Sequence, residues 1–60
     1  MNKIIILDPI NEQVYVSDYD TAVYEDFGAF LVDFNQENNL KLEFNNCQWM
    51  EVEKVNINVL

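Results

Sequence analysis

The chain contains no histidine and no arginine, and only one cysteine, one glycine and one proline. Each scarcity removes a class of function. Without histidine the commonest general base is missing, and with Cys47 alone there is no partner for an intrachain disulfide and no ligand set for a zinc cluster. Cys47 stands between Asn46 and Gln48 in an acidic chain, where a thiol is held protonated rather than activated, so we read it as structural or incidental. A single glycine, Gly28, cannot build a phosphate-cradling loop. Basic residues are limited to Lys3, Lys41 and Lys54 against eleven carboxylates, a net charge of −8. A body so acidic repels phosphates and anionic head groups, which argues against direct nucleic-acid or membrane-surface binding and for a basic protein surface as complement.

Long apolar runs are also missing. Ile4 to Leu7 is the longest unbroken aliphatic stretch and ends at Asp8-Pro9, too short for a signal-peptide core or a membrane span. With a lone cysteine, this places the expected location in the cytoplasm. Sixty residues amount to one small domain, residues 1–60, near the lower limit for folding on a single core.

What the chain has is apolar density. Half its residues are hydrophobic and eight are aromatic, a composition unlike that of disordered chains. So small a body has little interior, and the surplus apolar area is expected to be covered by a second copy or another protein.

Along the chain, the unbroken run Lys3 to Leu7 reads as a central strand covered on both faces. Asp8-Pro9-Ile10-Asn11-Glu12 reads as a turn with Asn11 accepting the left-handed conformation, and Gln13 to Ser17 as the second strand of a hairpin, Val14 and Val16 on one face and Tyr15 and Ser17 on the other. Helix-cap candidates cluster at Asp18-Tyr19-Asp20-Thr21, and Tyr24, Phe27, Leu31 and Phe34, flanked by Val23 and Phe30, form a stripe of helical period ending at Asn38-Asn39. Leu40, Leu42 and Phe44 alternate like a strand, Asn45-Asn46 suits a tight turn, and a last extended segment runs from about Gln48 to Val59. The expected fold is α+β: β-β-α-β-β, an antiparallel or mixed sheet of three to four strands with one helix across one face.

For catalysis the residues offer little. Paired carboxylates need a cleft that sixty residues hardly enclose. Asp18 and Asp20 resemble the start of a calcium loop, but Ala22, Val23 and Ala29 occupy positions where an acid, a glycine and a bidentate glutamate belong. No enzyme activity, cofactor or metal is expected. Two binding candidates remain. One is an acidic helix surface, Glu25, Asp26, Asp33 and Glu37, with Asp18 and Asp20 at its N-terminal end, which could imitate phosphates toward a nucleic-acid-binding protein. The other is an apolar interface containing Tyr15, Tyr19, Trp49 and Met50, residue types enriched where proteins meet.

The succession of an Ile-rich strand, an Asp-Pro hairpin, Val-Tyr-Val, Asp-Tyr-Asp, a Glu-Asp-Phe helix and Asn-Cys-Gln-Trp-Met resembles small uncharacterised acidic proteins of bacterial genomes and mobile elements. The resemblance implies a bacterial cytoplasmic protein and carries no activity with it. From the residues themselves we expect a non-catalytic interaction module that self-associates as a homodimer and engages a protein partner. The alternative is an acidic nucleic-acid mimic.

Overall fold

The computed structural model describes residues 2–60. Strand β1 (Asn2–Asp8) and strand β2 (Gln13–Tyr19) form an antiparallel hairpin, helix α1 (Phe27–Asn38) follows, and after a short 3-10 turn (Phe44–Asn46) strand β3 (Gln48–Val52) returns to the sheet. The three strands lie in the order β2-β1-β3, all antiparallel, which puts the aliphatic first strand in the middle as its composition suggested. The fold is α+β in two layers, one sheet and one helix. No helix among the described residues is long and apolar enough to cross a membrane.

The hairpin follows from its turn. Asp8 is buried, and its carboxylate accepts from the Asn11 side-chain amide at 2.9 Å and from the Asn11 backbone N–H at 3.4 Å. That closes the loop on itself in the manner of an Asx turn. The left-handed residue is Glu12, with φ of 55°, rather than Asn11. Asn11 is held instead by its side-chain bond to Asp8.

The helix begins later than the cap cluster suggested. Asp20 makes a local turn of its own: its side chain accepts from Ala22 N–H at 2.9 Å and its carbonyl from Val23 and Tyr24 at 3.0 and 3.2 Å. This satisfies the backbone without propagating a helix, because Asp residues compete for nearby N–H groups as well as capping. The true N-cap is Asp26, extended at φ −154° and ψ 175°, whose carboxylate accepts from Ala29 N–H at 2.9 Å. The helix ends where expected, on Asn39 in the left-handed region at φ 55°, with Leu40 N–H closing on the Asn35 carbonyl at 2.9 Å. Asparagine tolerates that conformation better than most residues.

The alternation at Leu40, Leu42 and Phe44 does not become a strand. The Asn35 side chain takes up that backbone, its amide donating to the Leu42 carbonyl at 2.9 Å and its carbonyl accepting from Leu42 N–H at 3.0 Å. With both polar groups of Leu42 satisfied by one side chain, Leu42 is delivered into the core and no strand pairing is needed. Asn35→Ala leaves both groups unpartnered. The expected cost is about 1–3 kcal/mol, read as a lower denaturant midpoint at unchanged slope. An unaltered midpoint would show that the clamp contributes nothing.

The core lies between α1 and one face of the sheet: Ile4, Ile6, Tyr19, Phe27, Phe30, Leu31, Phe34 and Leu42 are buried together. Aromatic edges and faces account for much of it, with Tyr19 edge-on to Phe30 at 5.1 Å, Tyr15 edge-on to Phe34 at 5.8 Å and Phe27 stacked on Trp49 at 4.6 Å. Such pairs contribute about 0.5–1.5 kcal/mol each beyond area burial. Val23, expected beside the helical stripe, is exposed because the helix has not begun at that point.

The other face of the sheet is the more exposed one, with Val14 and Met50 61% and 54% exposed. β1 was expected to be covered on both sides, yet one helix can cover only one, and Leu7 is 41% exposed while Ile4 and Ile6 are fully buried. The final segment is shorter than its alternation suggested: β3 stops at Val52, and residues 53–60 have no regular secondary structure.

Candidate functional site

Three surfaces gather the chemistry. The first is the open face of the sheet. Strand register places Lys3, Ile5 and Leu7 of β1 between Asp18, Val16 and Val14 of β2 on one side and Val52, Met50 and Gln48 of β3 on the other. Cross-strand partners share a face, so these nine side chains form a lattice of three rows. Six of the nine are apolar. The only charges among the nine are Lys3 and Asp18, directly opposite each other and ion-paired, so this lattice carries no net charge in a chain of net charge −8, and Glu12 stands at the corner formed by Leu7, Val14 and Gln48. Val14, Val16, Leu7 and Met50 are all substantially exposed.

The second surface is a groove of about 610 Å³ between the free edge of β2 and the helix, lined by Val14 to Asp18, Asp20, Tyr24, Phe30, Phe34, Glu37 and Asn38. Burial raises the Tyr24 phenol pKa, and the nearby carboxylates of Asp33, Glu37 and Asp20 push it further. The phenol therefore stays neutral beside its acids.

The third lies at the other end of the inner face, where the N-terminus of α1 meets β3 and the end of β2. Tyr19, Phe27, Phe44 and Trp49 surround a cavity of about 400 Å³ with Glu25, Asp26 and Glu51 at its rim and Gly28 on its wall. Asn2 donates its side-chain amide to Glu51 and fixes that carboxylate. Tyr19 has its pKa raised by burial first, then by the charges of Glu51 and Asp26.

The residues read as two candidate sets are therefore regrouped. The acids do not form one continuous ridge. Asp18 is on the open sheet face, not at the helix N-terminus; Asp20 and Glu37 line the groove; Asp33 is beside Tyr24; Glu25 and Asp26 border the aromatic cavity. The apolar set divides as well. Tyr15, Tyr19 and Trp49 point to the helix side of the sheet and only Met50 to the open face. Trp49 belongs to both interior and surface, stacked on buried Phe27 yet 44% exposed. Ile5, Leu7, Val14, Val16 and Val52 were not singled out as interface, although the alternation already separated Val14 and Val16 from Tyr15. Phe44 and Glu51 carried no sequence signal, being brought to the cavity by the 3-10 turn and by strand register.

Cys47 is half-buried against the core, and burial, with Asp8 nearby, pushes its thiol pKa up. It has no activating base. Among the described residues, no group of three or more Cys, Asp or Glu is arranged to hold a metal ion.

In comparisons with known proteins, no family model matches the chain, and no curated protein or solved structure matches it.

Proposed function

We propose that the protein is a non-catalytic interaction module that associates with a second copy of itself through the open face of its sheet. The observation that carries this reading is the partition of charge. Among the nine side chains of the open face the one carboxylate, Asp18, is neutralised by Lys3, and Glu12 stands at the corner formed by Leu7, Val14 and Gln48. Two copies can therefore bring the apolar rows into contact with few like charges in the interface, Glu12 remaining at its corner.

Magnitudes define the kind of association. Three strands about 4.8 Å apart and three rows about 6.7 Å apart give a footprint of only a few hundred Å², below the roughly 800 Å² per partner of a standard stable interface. A reversible monomer–dimer equilibrium is expected rather than an obligate dimer. Bodies whose shortest extent is 18 Å and whose charge is −8 each repel by about 15 kcal/mol at that separation in water without salt, and by about 2 kcal/mol at 0.1 M salt. Raising the salt to about 1 M removes most of that remainder, so self-association tightens by roughly 30-fold. Sedimentation across a concentration series at the two ionic strengths reads this directly. A species that remains monomeric at both, or one that dissociates as salt rises, would overturn the reading.

The same partition favours a second reading, in which the acidic remainder engages a basic nucleic-acid-binding protein by standing in for phosphates. Its salt response has the opposite sign, because charge attraction across an exposed interface is screened away.

A further inference from the structure

The geometry points to the cavity between Trp49, Phe44 and Tyr19 as a receptor for a cationic side chain, the ammonium or guanidinium of a lysine or arginine presented by a partner protein. Aromatic faces attract cations through their ring quadrupole, and rings with carboxylates at the rim supply both the apolar wall for an alkyl arm and the charge for its head. The rings are held in place. Trp49 is stacked within 15° of parallel on Phe27 at 4.6 Å, and Phe44 is tilted against the same Phe27 at 5.8 Å. Phe27 is 2% exposed and serves as the fixed back wall, and Trp49 and Phe44, each about half exposed, line the same cavity.

Acids alone would not identify a receptor. Tyr19 provides an independent observation: its side chain is 96% buried by its 4% exposure, and its hydroxyl has no hydrogen-bond partner among the described residues. That oxygen is not sealed in the core. Tyr19 lines the cavity with Glu51 and Asp26, whose charges act on its phenol, so an ammonium or guanidinium N–H held there can donate to it. A hydroxyl that solvent still reaches on an otherwise buried ring can exchange its water for an N–H donor of a bound cation.

The helix N-terminus opposes a cation, since its dipole is equivalent to about half a positive charge. Three carboxylates outweigh it. Asp26 already accepts from Ala29 N–H and one oxygen of Glu51 from Asn2, while Glu25 and the other Glu51 oxygen face solvent. The cavity is on the helix side of the sheet, away from the open apolar face, so this assignment stands whether or not the protein self-associates.

The test uses the intact chain and a short glycine-flanked lysine peptide, followed through the indole N–H resonance of Trp49 in proton–nitrogen correlation spectra. A saturable shift is expected, with affinity falling about tenfold when the lysine is acetylated and with rising salt. Phe44→Ala is expected to weaken binding about 2- to 5-fold, the loss of one cation–π face. Glu51→Gln and Tyr19→Phe are expected to weaken it comparably, and the near-isosteric shapes of these two variants keep the fold testable by an unchanged melt. Free n-butylammonium is expected to bind more weakly than the peptide. Equal affinity for the amine would overturn the peptide source. Equal affinity for the acetylated peptide, no saturable shift, or indifference to Phe44→Ala and Glu51→Gln together would overturn the receptor itself.

Discussion

Phe27→Ala is expected to unfold the protein or to lower its melting temperature by tens of degrees. Phe27 is 2% exposed and meets Phe30 at 6.2 Å, Phe44 at 5.8 Å and Trp49 at 4.6 Å. Truncating a buried phenylalanine costs about 3–5 kcal/mol, and a sixty-residue domain has only about 3–9 kcal/mol in total. At about 4–8 °C per kcal/mol for so small a domain, nothing short of a large fall is consistent with the packing. Circular dichroism melts decide it. Val23→Ala is the control, because Val23 is 65% exposed and belongs to no helix; its melt should move by no more than about 0.5 kcal/mol in stability terms. A Phe27→Ala melt within a few degrees of the parent would mean that the ring is not the anchor of this core.

The second large effect concerns the open face. Val16 and Met50 flank Ile5 in the central row, 45% and 54% exposed. Lysine at both positions faces solvent in the monomer, so the melt is expected to hold. Self-association is expected to weaken by about two orders of magnitude or more, since burial of each apolar side chain contributes about 1.5–3 kcal/mol and a desolvated ammonium contributes the opposite. The substitutions change the net charge from −8 to −6. On electrostatics alone that would tighten association, so a loss can only reflect the apolar contact. Unchanged sedimentation behaviour in the double variant would sink the proposed interface while leaving the cation receptor untouched.

These two predictions rest on features of different legibility. The ring at position 27 belongs to a stripe of helical period that is visible in the residues, and period alone marked Phe27, Leu31 and Phe34 as one face. The open face was half legible. Alternation separated Val14 and Val16 from Tyr15, but an unbroken run such as Ile4 to Leu7 has no alternation to show which half meets water. Only the number of layers decides that, and one helix covers one face.

Where the reading failed, short polar side chains were the cause. The cap was expected among Asp18 to Thr21, but Asp20 spends its acceptors on Ala22, Val23 and Tyr24, and Asp26, expected on the helix surface, caps the helix instead. Leu40 to Phe44 alternates as a strand should, yet Asn35, seven residues before Leu42, satisfies the backbone that a strand partner would have satisfied. Such bonds are set by three-dimensional reach and leave no period in the chain.

The sequence by itself determined the charge, the hairpin, the helical stripe with its asparagine stop, and the absence of histidine- or cysteine-based chemistry, because these depend on composition and on neighbours a few residues apart. Tertiary structure alone decided that β3 is Gln48–Val52 and pairs with β1, that Asp18 is ion-paired with Lys3 on the apolar open face, and that Glu25 and Asp26 share a cavity with Tyr19, Phe44, Trp49 and Glu51. Those groupings join residues dozens of positions apart. Strand register and the path of one turn fix them, and neither is encoded locally.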